Sequence, residues 1–310
     1  MSNCIVRFGG NSLYKRSVLE AFASLLSRTA DRTTVVVAAV PEIQNSLESG
    51  IDQLITKELS SEDIVEQVHQ RVIEILRILN HLEKNDELSE NLNNLQNLLK
   101  GIELTGDFSP SLKDLVISYS EKITAVLLHA FLQGKGIKSK LLLPEDIQLL
   151  VTEEFGNASV LLDESSHLSQ SLSDGISLIP GSYGTTNLGK IARLGKYSSD
   201  YSAAAIARIV GAASLELWEI DKEFRTSDVA YISESQIIER LTYAEASELS
   251  YFSGKSIHPR IVEPLIDQHI PIHVYRLANQ DKELRTIINS ESVVLPNVVK
   301  SVVHTEEIAV

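Results

Sequence analysis

The spacing of apolar positions changes several times along this chain, and each change marks an element. Residues 4–8 and 33–39 are short runs rich in β-branched side chains, the pattern of strands buried on both faces. Between them Leu13, Val18, Leu19, Phe22, Leu25 and Leu26 recur at helical spacing over residues 12–28. Strand, glycine-containing turn, helix and strand open a βαβ unit. Residues 46–133 then read as four consecutive helices with few breakers, the most polar being 86–99, expected to cap a hairpin exposed to solvent. From residue 137 the alternation returns, with strands at 138–143, 158–163, 176–180, 213–219 and 270–276 and helices at 199–211, 242–253 and 258–268. This pattern predicts an α/β fold, a mostly parallel sheet covered by helices on both faces and carrying an inserted helical segment.

The length, 310 residues, suits one large domain or two modest ones. With 43% hydrophobic and 23% charged residues the composition is that of an ordinary globular protein. No uninterrupted apolar run reaches the ~18 residues of a membrane span, and the first ten residues lack the pattern of a signal peptide. The single cysteine, Cys4, excludes an internal disulfide framework and a cysteine-based zinc site. A cytoplasmic, reducing setting is the expectation. Lys and Arg number 28 against 42 Asp and Glu, a formal charge of -14, which argues against nucleic-acid binding but leaves room for a local nucleotide site.

Three segments carry chemistry. Arg7-Phe8-Gly9-Gly10-Asn11-Ser12 leaves the first strand and enters a helix, where two glycines admit a ligand close to the backbone and helical N–H groups face an anion. The glycine- and hydroxyl-rich stretch from Pro180 to Gly189 is followed by Leu194-Gly195-Lys196-Tyr197-Ser198-Ser199-Asp200-Tyr201-Ser202-Ala203, with Ser199 and Asp200 as capping candidates. In the third, Thr242 and Glu245 form a capping box, Gly254 ends a helix, Lys255 stands in the turn, and Pro259 helps start the next helix.

In order and spacing these segments resemble the motifs of the aspartokinase catalytic domain. Arg7 to Ser12 is similar to Lys-Phe-Gly-Gly-Thr-Ser, and Leu194 to Ala203 to Leu-Gly-Arg-Gly-Gly-Ser-Asp-Tyr-Ser-Ala. Leu241 to Pro259 resembles the family's helix-turn motif ending in His-Pro, and Ser120-Glu121 matches a Gly-Glu whose glutamate contacts the amino-acid substrate. The resemblance covers roughly residues 4–290. It implies the amino-acid kinase fold, a three-layer αβα sandwich, and transfer of the ATP γ-phosphoryl group to the side-chain carboxylate of aspartate. The implied division is an amino-acid lobe at 1–175, a nucleotide lobe at 176–295, and a tail at 296–310 resembling the start of an ACT domain. Arg7, Asp200 and Lys255 would be catalytic. Gly9, Gly10, Trp218 and Lys255 would bind nucleotide and phosphate, and Asn45, Glu121, Lys196 and Ser199 would hold the acceptor. ATP and Mg²⁺ are the implied cofactors, the ion held mainly by phosphates and water, with no dedicated protein metal site.

The departures fall in the site. Arg7 stands for a lysine and Asn11 for a threonine. Ala38 to Asn45 lacks the hydroxyl and glycine of Ser-Ala-x-x-Gly-Val-Thr-Asn and adds Glu42. Lys196-Tyr197-Ser198 replaces Arg-Gly-Gly, exchanging a bidentate carboxylate grip for a point charge. After Trp218, Glu219-Ile220 and Lys222-Glu223 stand where the resembling motif has the Thr-Asp and Asp-Gly pairs that touch the nucleotide. Two readings are open: a divergent kinase for aspartate or a related small amino acid, or a catalytically degenerate relative that binds a metabolite or a partner. A role for residues 46–133 as an independent interaction module is unneeded, since the family carries a helical insertion there. Homodimers, or assembly with a related kinase, are the implied partners, and no membrane or nucleic acid. Without ACT domains, no lysine or threonine feedback is expected. His258, His269 and His273 suit capping or surface positions better than metal ligation.

Overall fold

The structure, a computed structural model, describes residues 3–29, 32–80, 85–106, 108–172, 174–219, 223–253, 257–278, 281–291 and 299–303. Its centre is an eight-stranded sheet. β1 (Cys4–Gly9), β2 (Thr33–Ala38), β3 (Ser139–Leu141), β4 (Ile176–Pro180) and β7 (Leu215–Glu219) are parallel, joined by β8 (Arg240–Thr242), β9 (Ile272–Ala278) and β10 (Asp281–Asn289). The order is β3-β4-β2-β1-β7-β9-β10-β8, with β9 and β10 antiparallel. A separate hairpin pairs β5 (Tyr183–Thr185) with β6 (Ile191–Arg193).

The helices are α1 (Arg16–Ser27), α2 (Pro41–Thr56), α3 (Ser61–Leu79), α4 (Asp86–Thr105), α5 (Pro110–Gly134), the one-turn α6 (Leu168–Ser171), α7 (Ser199–Val210) and α8 (Tyr243–Ser253). Strand alternation sorts side chains between the two faces. Val6, Phe8, Val35 and Val37 join α1 to α5 in one apolar cluster, while Ile5 and Val36 join α7 and the tail-side elements in the other. The layers are thus helices, sheet and helices, as the pattern predicts. α5 is no pendant part of an insertion, because it lies directly on β2, β3 and β4. It is long and apolar enough to cross a membrane by length and composition, but most of it is buried in the fold.

Several expectations are corrected. Segment 86–99 does more than cap a hairpin: α4 buries Leu88, Leu95, Leu99 and Ile102, a stripe narrow enough to read as polar overall. Residues 158–163 form no strand. Val160 makes a single bridge to Val151, its N–H goes to the Tyr201 hydroxyl, and the chain then turns. Residues 258–268 are a 3₁₀ turn (Pro259–Val262) followed by further turns, since Pro264 has no N–H to continue a helix. β10 escaped the sequence pattern because its exposed face is charged while its backbone is satisfied by β8 and β9.

Candidate active site

The parallel strands all end on one edge of the sheet, where ligands of open α/β sheets sit. There Gly9 is paired with Ala38, and a Cβ at Gly9 would lie 2.5 Å from the Ala38 carbonyl oxygen. Its φ of 134° is also closed to other side chains. Gly10, at φ 61°, starts the 3₁₀ turn Gly10–Tyr14 that carries the chain to α1. Gly181 donates its N–H to Val37 at 2.9 Å, and a Cβ there would meet Ser199 at 2.9 Å. The glycines therefore let β1, β2, β4 and α7 converge.

Arg7 shares the sheet face of Ile5, which turns it toward α7. Its buried Nε lies 2.9 Å from Asp200 Oδ1 and donates to Ser199 Oγ at 3.1 Å. Burial lowers the Arg7 pKa, partly offset by the Asp200 charge. The second carboxylate oxygen of Asp200 accepts the His258 N–H at 2.9 Å, which fastens the segment before Pro259 to the start of α7. The N-cap of α7 is Ser198 rather than Ser199 or Asp200. Its hydroxyl donates back to the Gly195 carbonyl at 2.9 Å, leaving the next two residues to face Arg7.

Glu121 projects from α5 and is 1% exposed. Its Oε2 accepts from the Ser120 hydroxyl at 2.7 Å. Burial raises its pKa against the opposing pull of Arg193, Ser120 and Ser182. One heptad earlier on the same helix face, Asp114 accepts the backbone N–H groups of Gly156 (2.7 Å) and Arg193 (2.8 Å). Burial raises its pKa too.

On α2, Glu48 takes three partners: the Gln44 amide at 3.0 Å, Arg193 Nη1 at 3.2 Å and Lys196 Nζ at 3.2 Å. Burial pushes its carboxyl up, but these three outweigh it and hold the pKa below the usual range. The exposed Asn45 accepts the Tyr197 hydroxyl at 3.4 Å. Tyr197 itself adopts φ 56°, the conformation that suits the glycine of the resembling motif.

The structure thus brings Arg7, Gly9, Gly10, Ser199 and Asp200 together, and places Asn45, Lys196 and Glu121 around α2, α5 and the loop before α7. Trp218 is placed as a core side chain: its indole is 2% exposed, packs edge-on to Phe22 at 6.0 Å and donates to Glu216 at 2.6 Å. Phe8 stacks on Phe22 at 3.8 Å, so the indole belongs to this aromatic core group. Lys255 and Gly254 lie outside the described residues, as do Ile220, Asp221 and Lys222. Sequence reasoning missed Gln44, Glu48, Asp114 and Arg193. The signals were an arginine inside the apolar run Ile191-Ala192-Arg193 and an i,i+4 Gln–Glu pair on α2. Among the described residues no three His, Cys, Asp or Glu side chains converge to hold a metal.

A glycine-lined sheet edge, a buried cation against the start of a helix, and an acidic residue on the opposing helix make the carboxyl edge of this α/β sheet the candidate site. The chain belongs to the amino acid kinase family, whose model matches residues 3–276. Its relatives include the bifunctional aspartokinase/homoserine dehydrogenase of Buchnera aphidicola, 26% identical over 98% of this chain and 39% of the relative. The lysine-sensitive aspartokinase 3 of Escherichia coli is 25% identical, over 88% of this chain and 62% of its own length. The chain therefore spans less than two thirds of these relatives. The crystal structure of E. coli aspartokinase III in complex with aspartate and ADP shares the fold with a TM-score of 0.80 at 22% identity, over 94% of this chain and 65% of that one. Clostridium acetobutylicum aspartate kinase matches with a TM-score of 0.73 at 20% identity, over 96% and 65%.

Proposed function

We propose that this chain transfers the γ-phosphoryl group of ATP to the side-chain carboxylate of aspartate or a related small amino acid. The observation that carries the reading is the buried Arg7–Asp200–Ser199 group set beside Gly9 and Gly10. An acceptor carboxylate is already ionised, so its attack on phosphorus yields an acyl phosphate and ADP without removal of a proton. Such a reaction needs positioning and fixed positive charge more than a base. Arg7 supplies that charge, and Asp200 and Ser199 fix the direction of its fork. Lys255 would add a second cation at the phosphates. Gly9 and Gly10 would let the phosphates reach backbone N–H groups, and Glu121, Asn45, Lys196 and Ser199 would surround the acceptor. Residues 1–175 and 176–295 would each contribute to both halves of the site. Magnesium would arrive with the nucleotide, coordinated by phosphate oxygens and water.

The aspartokinase relatives and the ADP- and aspartate-bound structural neighbour support this reading. Calorimetric titration with Mg·ADP and with aspartate, followed by hydroxylamine trapping of the acyl phosphate, tests it. Hydroxamate formed only with ATP and aspartate present supports phosphotransfer. Heat of binding without hydroxamate would favour the degenerate, metabolite-binding alternative. Sedimentation of the purified chain would show whether it forms the homodimer the resemblance implies.

A further inference from the structure

The guanidinium of Arg193 is buried, 6% exposed, yet among the described residues only Nη1 has a partner, Glu48. Its Nε and Nη2 have no hydrogen-bond partner there, and neither has Oε1 of Glu121. Leaving buried donors and an acceptor unpaired is costly, so their coincidence at one place points to a ligand. The two side chains are near enough for the Arg193 charge to act on the Glu121 carboxyl, and the elements that carry them are packed together. α5 lies on β6, with Asp114 gripping the backbone of Arg193 and Glu121 two turns further along the same helix face. β6 pairs Arg193 with Tyr183, next to the Ser182 that borders Glu121.

The surrounding charge narrows the choice of ligand. Asp114, Glu121 and Glu48 crowd Arg193, so a phosphate entering here would meet three carboxylates. A zwitterion meets no such penalty, because its ammonium suits Glu121 while its carboxylate suits the guanidinium. Lys196 is the alternative cation, but its side chain is half exposed and already paired with Glu48. A planar fork with two open N–H groups is the better carboxylate holder.

We propose that Arg193 is a substrate-binding residue that takes the main-chain carboxylate of an α-amino acid, opposite the ammonium site at Glu121. The proposal rests on the reading of the acceptor as an amino acid, and it adds the residue that decides which compounds qualify. Gln44 and Glu48 are positioning residues: Glu48 orients the fork from Nη1, and Gln44 orients Glu48.

The test is calorimetry with Mg·ADP present and three probes: aspartate, β-alanine, which lacks the main-chain carboxylate, and succinate, which lacks the ammonium. Wild-type protein is expected to favour aspartate over both others by on the order of tenfold or more, as a site with otherwise unpaired polar groups should. Arg193→Met should remove the preference over β-alanine while leaving Mg·ADP affinity in place. Glu121→Gln, which is nearly isosteric, should instead remove the preference over succinate. If Arg193→Met fails to fold, Arg193→Lys keeps a charge for Glu48 but loses the fork, and should shrink the aspartate to β-alanine ratio. Equal binding of aspartate and β-alanine by wild-type protein, no binding of any probe, or an unchanged ratio in both arginine variants would overturn the proposal. An Arg193-dependent ratio without trapped acyl phosphate would sink phosphotransfer and leave the recognition site standing. Acyl phosphate formed with no such ratio would do the reverse.

Discussion

At the scale of single residues, the site is built from groups whose neighbours were chosen by the fold. Arg7 illustrates this. A buried arginine at the end of a strand is tolerable because Asp200 and Ser199 meet its Nε. Arg7→Met should therefore lower stability by about 3–5 kcal/mol, the usual effect of removing one partner from a buried ion pair. Urea unfolding measures this, and a loss under ~1 kcal/mol would mean that Asp200 finds other compensation. The proposed phosphotransfer should fall together with stability, since in that reading the same guanidinium would face the phosphates. Gly9 is a second residue-scale case. Gly9→Ala should destabilise strongly, because the new Cβ would have to displace the Ala38 backbone and accept an unfavourable φ. A thermal midpoint indistinguishable from wild type would contradict that contact.

At the scale of elements, α3 tests whether the helical layer is structural support or part of the site. Ser60 and Asp63 form a reciprocal capping box, with Ser60 N–H donating to Asp63 at 2.9 Å and Asp63 N–H to the Ser60 hydroxyl at 3.2 Å. Ser60→Ala should cost about 1 kcal/mol and leave ligand affinities unchanged, read by urea unfolding and by the same calorimetry. A shift in affinity instead would show that α3 reports to the site. α2 is the opposite case. One of its faces packs on α3 and α5, while Gln44, Asn45 and Glu48 reach the site. A heptad pattern cannot separate those roles, because both faces carry residues that hydrogen-bond or ion-pair.

Across the whole molecule, buried carboxylates set the pH response. Glu121 and Asp114 have raised folded pKa values, chiefly from burial. Their stabilisation is fully present below the unfolded values of about 4 and is lost as pH rises through the folded ones. Glu48 is shifted the other way, and its contribution is lost as pH falls through its depressed value. Global stability should accordingly peak in mildly acidic solution. As pH rises above the unfolded value of about 4, the stability of Glu121→Gln relative to wild type should grow until the raised folded pKa is passed, since only wild type must ionise a buried carboxyl. A pH-independent difference in urea midpoint would refute that account.

The sequence by itself determined the layered α/β architecture, because period-2 and period-3.6 apolar spacing is a local property that burial rewards wherever the chain goes. It also determined the capping box at Thr242 and Glu245, which depends on contacts three residues apart. Tertiary structure alone decided that Trp218 is a core side chain and that residues 158–163 pair with a loop instead of joining the sheet. It also brought Arg193, Glu48 and Glu121 together from β6, α2 and α5. Those pairings span 72 to 145 positions along the chain (193 − 121 = 72, 193 − 48 = 145). Residue spacing carries no signal at that range. What selects them is the low dielectric of the interior, where a buried charge must find a partner.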